Sequence, residues 1–232
     1  MANIFVTGTS RGIGAAIAAS LKGHNVIGHS SRGGDKQIAA DLADPEQVKA
    51  LWWEVMGRLD GRIEVLINNA GMFEATPIEQ GDDGWLEGWE RTMRVNLTAS
   101  AMLCRLAVLH FRENGGGRIV NVASRAAYRG DSPQHWHYAA SKAGMVGMTK
   151  TIARGYAHEN VLAFAVCPGF TMTGMAEDYV ASRGGDKLLA DIPLGRVASV
   201  DEVAETVRWL AVDAPPSATG AVIDVNGASY VR

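Results

Sequence analysis

A glycine-rich turn near the start of the chain constrains the fold more than any other feature. The apolar run of residues 4–6 leads into the sequence TGTSRGIG, and a helix-forming segment, AAIAASLKG, follows it. Glycine permits a tight turn and a close backbone approach, and the first turn of a helix offers unpaired N–H groups to an anion. Strand, glycine loop and helix in this order predict a phosphate site at the edge of an α/β sheet. We expect a dinucleotide to be bound there by Gly8, Ser10, Arg11, Gly12, Ile13 and Gly14.

Length and composition predict a single α/β domain over residues 1–232. The chain has 232 residues, 47% of them hydrophobic and 20% charged, with a net charge of -3. This charge offers no general attraction for nucleic acid or an anionic membrane, and no apolar run reaches membrane-spanning length. The first strand begins almost at the initiator, so we expect no signal peptide and a cytoplasmic protein. Cys104 and Cys167 lie in apolar runs, which indicates buried thiols rather than a disulfide.

The end of the second predicted strand, residues 25–29, indicates which dinucleotide is bound. Ser31 and Arg32 follow this strand, where an NAD site would have a carboxylate for the ribose 2′-hydroxyl. Arginine suits a 2′-phosphate instead, and Arg11 in the glycine loop adds a second cation. NADP(H) is therefore favoured, while NAD(H) stays open. The alternative is that both arginines are solvated surface charges.

The third predicted strand, residues 37–40, follows the second too closely for a helix between them. Six extended residues still reach about 20 Å, enough to return along a short strand. The sequence thus predicts a helix-free crossover and a more open adenine side, with Asp41 and Leu42 at the strand end available to the adenine. Asp44 should then cap the next helix, with Gln47 completing a capping box, and Ser199 with Glu202 is predicted to form a further capping box near the end of the chain.

A hydroxyl, a phenol and an ammonium in residues 124–142 are the candidate catalytic groups. Ser124 closes the apolar run GRIVNVAS, which places it at a strand tip. Tyr138 and Lys142 are four residues apart and share one helix face. A neighbouring positive charge favours the phenolate, so we expect Lys142 to lower the pKa of Tyr138 and make it a usable general acid or base. The bare Tyr-x-x-x-Lys pattern also suits a solvated surface pair.

Two further buried strands end in small or polar residues. Residues 63–67 lead into Asn68-Asn69-Ala70-Gly71, and residues 161–166 lead into Cys167-Pro168-Gly169. Small residues let the backbone approach a ligand. A helical stripe over residues 85–111 contains Asn96, whose side chain we expect to point outward or to bond locally.

Taken together, these motifs resemble those of the short-chain dehydrogenase/reductase family over nearly the whole chain, most closely its 3-oxoacyl-carrier-protein-reductase-like branch. The resemblance implies a single-domain Rossmann fold, a doubly wound parallel sheet of about seven strands with helices on both faces, and a homo-oligomer, either dimer or tetramer. The helix-free crossover departs from the family pattern. The matching residues are Thr7, Gly8, Gly12, Gly14, Asp41, Leu42, Asn68, Asn69, Ala70, Gly71, Asn96, Ser124, Tyr138, Lys142, Pro168, Gly169, Thr171 and Thr173.

The resemblance also implies the chemistry, a hydride transfer between nicotinamide and a carbonyl/alcohol pair on a small molecule. Tyr138 would give its proton to the carbonyl oxygen, and Ser124 would hold that oxygen. Lys142 would bind the nicotinamide ribose, and the Asn96 carbonyl would hold a water that links Lys142 to solvent. The resemblance further assigns cofactor contacts to Asn69, Ala70, Gly71, Pro168, Gly169 and Thr171.

The substrate side is less defined by the sequence. Residues 170–195 have weak helical order and are predicted to form a lid. Besides Ser124 and Tyr138, we expect Trp136, Gly169 and Met175 to line the pocket.

Three other readings concern the histidines, two arginines and the overall function. His135 and His137 lack a third ligand nearby, so no metal site is predicted. Arg125 and Arg129 suit an anionic substrate or an acyl carrier, but a solvated face is favoured. Two alternatives to an NADPH-dependent reductase stay open: an NAD-dependent alcohol or sugar dehydrogenase, and a non-catalytic NADP(H)-sensing protein.

Overall fold

The computed structural model describes residues 1–172 and 189–232. Seven strands form one sheet, all parallel, and the helices cover both of its faces. The strands are β1 Asn3–Thr7, β2 Asn25–Ser30, β3 Gln37–Ala39, β4 Val65–Asn68, β5 Gly117–Val122, β6 Val161–Pro168 and β7 Val222–Val225, in the spatial order β3-β2-β1-β4-β5-β6-β7. The helices are α1 Gly12–Ser20, α2 Pro45–Arg58, α3 Asp82–Met93, α4 Ala99–Glu113, α5 Ala126–Arg129, α6 Trp136–Tyr156 and α7 Val200–Arg208. The predicted α/β class and the seven-stranded doubly wound sheet are confirmed.

The core lies on both faces of the sheet because successive strand residues point to opposite sides. In β1, Ile4 and Val6 pack against α1 and α7, whereas Phe5 packs against α2 and α4. Strands buried on both faces read as continuous apolar runs. All eight residues of β6 are buried, as expected for such a strand.

The strand order reverses direction at β1. The chain moves from β1 outward to β2 and β3 and then crosses back to β4 on the other side of β1. In open α/β sheets the ligand crevice lies outside the carboxyl ends of the strands at such a switch point. The glycine loop after β1 and the Asn-Asn-Ala-Gly sequence after β4 meet at this crevice.

The crossover between β2 and β3 contains no helix, as the sequence predicts. Gly34 and Gln37 exchange two backbone hydrogen bonds of 3.0 Å each, which turns the chain back onto β2. Residues 31, 32 and 34–36 are exposed. The adenine side of the sheet is therefore bordered here by a short turn rather than by a packed helix.

The two predicted capping boxes have different outcomes. At α7, Ser199 Oγ accepts the Glu202 N–H at 3.1 Å and Glu202 accepts the Ser199 N–H at 2.8 Å, so this box is confirmed. At α2, Asp44 caps the helix through the Glu46 N–H. The predicted box with Gln47 is wrong.

The reason lies in the turn before α2. The Asp44 N–H already donates to the Asp41 carbonyl at 3.1 Å, so it does not need a glutamine partner. Gln47 Oε1 instead accepts the Asp41 N–H at 2.8 Å. This bond fixes the backbone at the end of β3.

A π-helical turn, Arg94–Thr98, joins α3 to α4 within the segment predicted as one helix. Cys104 and Cys167 are both buried and unpaired, as predicted. In the described parts of the chain, no helix combines the length and the apolar character needed to cross a membrane.

Candidate active site

The glycine loop is packed so tightly that side chains are excluded at two positions. Gly8 has a φ of 74°, and a Cβ there would lie 2.8 Å from the Ala70 Cα. A Cβ on Gly14 would lie 1.9 Å from the Gly8 carbonyl oxygen. Only glycine allows this close approach of the loop to the residues after β4.

The glycine loop leads into α1, and the N-terminus of this helix has no side-chain cap. No side chain caps α1, and no acidic residue occupies its first turn, in contrast to α2 and α7. The first N–H groups of a helix have no partner within the helix, and they attract an anion. Such a cradle suits the pyrophosphate of a dinucleotide, and the contacts expected of Gly8, Ser10, Arg11, Gly12, Ile13 and Gly14 stay a prediction.

The side chain of Asn69 holds the glycine loop. Its amide Nδ2 donates to the carbonyl oxygens of Thr7 and Gly8, each at 3.0 Å. The Thr7 hydroxyl in turn accepts the N–H groups of Asn69 and Ala70, both at 3.0 Å. The donors of Asn69 are thus engaged within the protein, and the residue positions the glycine loop.

The residues predicted to bind the adenosine half lie at the surface around this loop. Ser10, Arg11, Ser31, Arg32 and Asp41 are exposed, whereas Leu42 is buried. No ion pair holds Arg11 or Arg32 to another described residue. One carboxylate oxygen of Asp41 accepts the Ala43 N–H at 2.9 Å.

The structure brings Ser124, Tyr138 and Lys142 together. Ser124 follows β5, and its hydroxyl accepts the Ala126 N–H at 3.1 Å. The Tyr138 phenol lies near the Ser124 hydroxyl, which acts to lower the pKa of the phenol. The Lys142 ammonium donates to the Val122 carbonyl at 2.9 Å and lies 5.8 Å from the centroid of the Tyr138 ring. The three groups therefore meet at the carboxyl end of β5.

Burial dominates the pKa values of this group. It raises the pKa of the Tyr138 phenol, and the Ser124 hydroxyl only partly offsets this effect. Burial also lowers the pKa of Lys142 from 10.5 to about 8. The expected lowering of the Tyr138 pKa by Lys142 is thus wrong for the protein without ligands. The ammonium is directed to a backbone carbonyl, and desolvation of the phenolate outweighs the remaining favourable contacts.

Asn96 is buried in the π-helical turn, and its side chain bonds far along the chain. Its Oδ1 accepts the Met72 N–H at 2.8 Å, and its Nδ2 donates to the Met72 carbonyl at 3.0 Å. The expectation of an outward or local side chain is wrong, because the turn directs Asn96 to the loop after β4. Its backbone carbonyl accepts the Ser100 hydroxyl at 3.3 Å.

Gly71 lies between Asn96 and Lys142. A Cβ built on Gly71 would lie 3.3 Å from Asn96 Oδ1 and 3.5 Å from Lys142 Nζ. The predicted residues after β4, on the α3–α4 segment and on α6 thus converge on one place. A π-helical turn at such a point is common at functional sites.

The end of β6 and the loop after it are held by hydrogen bonds to neighbouring segments. The Pro168 carbonyl accepts the Arg125 N–H at 2.9 Å, and the Gly169 N–H donates to Val225 at 2.9 Å. A Cβ on Gly169 would lie 2.8 Å from the Asn226 Cα, so a side chain there would collide with the neighbouring backbone. The Thr171 hydroxyl donates to the Gly169 carbonyl at 3.2 Å, which fixes the start of the predicted lid.

Phe73, rather than Trp136, contacts the ring of Tyr138, and His135 packs against Phe73. The Phe73 ring stacks on His135 with centroids 3.9 Å apart and meets the Tyr138 ring edge-on at 4.8 Å. Trp136 is 55% exposed and contacts Trp85. Helix phase explains why Trp136 turns away from the phenol, because a residue two positions before Tyr138 lies on another face of the helix. Met175 and residues 173–188 of the predicted lid lie outside the described residues.

Arg125 is not on the solvated face that the sequence favoured. Its side chain is 14% exposed, and burial lowers the pKa of its guanidinium. Arg129 holds Asp191 at 2.6 Å, while Arg125 reaches the same carboxylate at 3.5 Å. These contacts join α5 to the segment that follows the undescribed residues.

Comparison with known proteins identifies the family. The model of a family described as enoyl-(acyl carrier protein) reductase matches residues 8–228. The match includes both the glycine loop and the Ser124, Tyr138 and Lys142 group. The chain belongs to the short-chain dehydrogenase/reductase family.

Relatives in this family align over nearly the whole chain. A D-threitol dehydrogenase of Mycolicibacterium smegmatis is 32% identical over 98% of this chain and 92% of its own length. A 3-oxoacyl-acyl-carrier-protein reductase of Synechocystis sp. is 36% identical over 96% of this chain and 94% of its own length. A similar solved structure is that of a putative NAD(P)-dependent gluconate 5-dehydrogenase from Beutenbergia cavernae with bound NADP. Its TM-score is 0.85, and it is 31% identical over 97% of this chain and 94% of its own.

As a member of the short-chain dehydrogenase/reductase family, the chain is an NAD(P)-dependent oxidoreductase that acts on a CH–OH or C=O group. Two supporting residues of its site, His29 and His135, were not predicted from the sequence. The contacts of His29 join separate strands, and no sequence spacing shows them. His135 stacks on Phe73, which lies far from it along the chain. Among the described residues, no group of three or more His, Cys, Asp or Glu side chains is arranged to hold a metal.

Proposed function

We propose that this protein is an NADP(H)-dependent oxidoreductase that reduces a small carbonyl compound to a secondary alcohol, with Tyr138 as the general acid. The meeting of the Ser124 hydroxyl, the Tyr138 phenol and the Lys142 ammonium at the carboxyl end of β5 is the observation that carries this proposal. It places a proton donor and a second hydroxyl side by side at the sheet edge. A substrate oxygen can therefore contact both groups at once.

Each residue has a separate task in this reaction. The nicotinamide cofactor supplies the hydride when bound. The Ser124 hydroxyl holds the substrate carbonyl oxygen, and Tyr138 transfers its phenolic proton to that oxygen. Lys142, 4% exposed, places a positive charge near the developing phenolate. Asn96 fixes the backbone of residue 72 and so shapes the wall beside Lys142.

The raised pKa of Tyr138 favours the reductive direction at neutral pH. A phenol with a raised pKa stays protonated near pH 7 and is ready to act as an acid. Oxidation of an alcohol requires the deprotonated form and becomes easier as the pH rises. A polyol or sugar-acid substrate is the second candidate, because a threitol dehydrogenase and a gluconate 5-dehydrogenase are among the similar proteins.

The preference for NADP(H) over NAD(H) is supported by two exposed arginines at the adenosine side. Arg11 precedes α1 and Arg32 follows β2, and neither forms an ion pair with another described residue. Guanidinium groups bind phosphate oxygens through two parallel hydrogen bonds. They would neutralise a ribose 2′-phosphate at this position.

Four further properties belong to the same proposal. We propose a homo-oligomer, either dimer or tetramer, in the cytoplasm, and a lid over residues 170–195. The partly exposed Leu109 on α4 supports a subunit contact. The single sheet, whose helices cover both faces, supports one domain.

The test measures oxidation of NADPH and NADH with a panel of 3-oxoacyl thioesters, sugars and cyclic ketones. We expect turnover with NADPH on at least one class. Tyr138→Phe should lower kcat by about 10²–10⁴ because it removes the transferred proton. Tyr156→Phe, at the other end of α6, is the control and should keep the wild-type rate.

Other outcomes would contradict the proposal in distinct ways. Wild-type turnover by Tyr138→Phe would refute the assigned acid. A strong preference for NADH would refute the argument from Arg11 and Arg32. If NADPH binds but no substrate is turned over, the NADP(H)-sensing alternative gains support.

A further inference from the structure

A buried histidine links the glycine loop to the two strands at its side. His29 lies at the end of β2 and is 4% exposed. Its Nδ1 accepts the Gly8 N–H at 3.3 Å, and its Nε2 lies 3.0 Å from the Ala40 carbonyl oxygen. One imidazole therefore joins the loop after β1 to the residue that precedes Asp41.

The partners of His29 determine which of its nitrogens carries the proton. A backbone N–H can only donate, so Nδ1 must be the unprotonated acceptor towards Gly8. A carbonyl oxygen can only accept, so Nε2 must carry the hydrogen towards Ala40. The ring is thus neutral and held in a single tautomer. Burial agrees with this state, because it lowers the pKa of His29.

The backbone of His29 holds the same loop. Its carbonyl accepts the Thr9 N–H at 2.9 Å and the Thr9 hydroxyl at 3.3 Å. Gln37 of β3 adds a third contact, donating from Nε2 to the Thr9 carbonyl at 3.3 Å. The side chains of His29 and Gln37 both contact the glycine loop, and the crossover that joins their strands contains no helix. The position of Gly8 and Thr9 therefore depends on residues of β2 and β3.

From these contacts we infer that His29 is a positioning residue for the cofactor, and that its Nδ1 acceptor holds the glycine loop in the shape that binds the dinucleotide phosphates. The inference rests on the proposed cofactor site. His29 does not touch the reacting atoms, so its loss should weaken cofactor binding while leaving the chemical step intact. The neutral tautomer is required because a ring protonated at Nδ1 has no acceptor for Gly8.

Two substitutions separate the two hydrogen bonds of the ring. His29→Asn keeps an oxygen near the position of Nδ1 and loses the group that reaches Ala40. His29→Gln keeps an amide near the position of Nε2 and loses the acceptor near Gly8. A difference between these variants therefore reports on the loop contact, because both lose the imidazole ring and one of its two bonds.

A histidine at the opposite end of the sheet provides the control. His110 on α4 accepts the Ile63 N–H through Nε2 at 3.2 Å, and burial lowers its pKa as it does for His29. Ile63 precedes β4, whereas the cofactor crevice lies beyond the carboxyl end of that strand. His110→Asn removes the acceptor for a backbone N–H without touching the glycine loop.

The experiment measures the NADPH dissociation constant by calorimetric titration, the NADPH-induced rise in Tm, and KM and kcat. We expect His29→Gln to raise the NADPH Kd and KM about tenfold, the size expected for the loss of one positioning hydrogen bond, with kcat within about twofold of wild type. His29→Asn should restore a near-wild-type Kd. His110→Asn should lower Tm without changing Kd.

The outcomes distinguish this inference from the proposed function. If the wild-type protein does not bind NADPH, the proposed function fails. If the wild type binds but His29→Gln binds equally well, or if both His29 variants weaken binding equally, the positioning role of Nδ1 is refuted. If His29→Gln does not fold, the Kd of His29→Asn decides, since a wild-type value supports the inference and a tenfold weaker value overturns it.

Discussion

At the scale of a single residue, desolvation governs the behaviour of Lys142. The residue is 4% exposed, and its ammonium has one carbonyl partner, Val122, among the described residues. Removing an ammonium from water is unfavourable, so the pKa falls from 10.5 to about 8. Burying the Lys142 ammonium therefore lowers the free energy of unfolding, although the proposed reaction uses its positive charge.

This cost predicts how the stability of the protein without cofactor depends on pH. Between about pH 8 and 10.5 the native state loses the Lys142 proton while the unfolded chain keeps it. The unfolded state then binds more protons, so this group makes the free energy of unfolding rise with pH. Lys142→Met should remove the effect. Relative to Lys142→Met, the free energy of unfolding of the wild-type protein should therefore rise by about 3 kcal/mol across this range.

Urea unfolding of both proteins from pH 7 to 10.5 measures this difference. The other titrating groups are common to the two proteins and cancel in the comparison. A gap that stays constant over the whole range would show that Lys142 keeps an ordinary pKa.

At the scale of a structural element, the π-helical turn between α3 and α4 fixes the loop after β4. Asn96 within the turn bonds to both the N–H and the carbonyl of Met72, and its Nδ2 lies 3.3 Å from the Ser141 hydroxyl. One side chain thus connects the α3–α4 segment, the loop after β4 and α6. The position of Gly71, beside Lys142, depends on these contacts.

Truncation of this side chain tests the role of the turn. Asn96→Ala leaves the buried polar groups of residue 72 without partners, so the free energy of unfolding should fall by about 1–3 kcal/mol. Asn114→Ala, at the exposed end of α4, removes an amide that donates to the His110 carbonyl at 2.7 Å and should cost less than about 1 kcal/mol.

Chemical unfolding of the two variants in parallel provides the measurement. A loss for Asn96→Ala no larger than that for Asn114→Ala would mean that the turn does not hold the loop.

At the scale of the whole molecule, the proposed preference for NADP(H) rests on two connections that follow neighbouring strands of the sheet. Arg11 belongs to the β1–α1 connection and Arg32 to the β2–β3 crossover, and β1 and β2 are neighbours in the sheet. Because the crossover has no helix, Arg32 stays exposed near the end of β2.

Charge reversal at this edge should change the cofactor preference. Arg32→Asp removes a phosphate partner and supplies a carboxylate for a ribose hydroxyl. We expect the KM for NADPH to rise roughly 10–100-fold, because a charged hydrogen bond to the 2′-phosphate is lost. The KM for NADH should stay equal or fall.

Lys22→Asp, beyond the far end of α1, makes the same change in net charge and should leave both KM values unchanged. Equal effects of the two substitutions would indicate a general electrostatic effect rather than a 2′-phosphate site.

The sequence by itself determined the order of strands and helices, the glycine loop and the placement of the candidate catalytic residues Ser124, Tyr138 and Lys142. These features depend on local patterns: apolar runs, glycine spacing and the four-residue spacing of Tyr138 and Lys142 on a helix. The helix-free crossover was also predictable, since six residues are too few for a helix and a return. The Ser199–Glu202 capping box is local in the same way.

Only the tertiary structure decided the partners of buried polar groups. Gln47 bonds to Asp41 because a turn had already satisfied Asp44, and Asn96 bonds to Met72 because a π-helical turn directs it there. The pKa of Tyr138 rises rather than falls because burial, which spacing does not show, outweighs the other contributions. His29 meets Gly8 only because parallel strands from separate parts of the chain end at one edge. Such contacts depend on packing between distant segments, and a linear pattern does not record that packing.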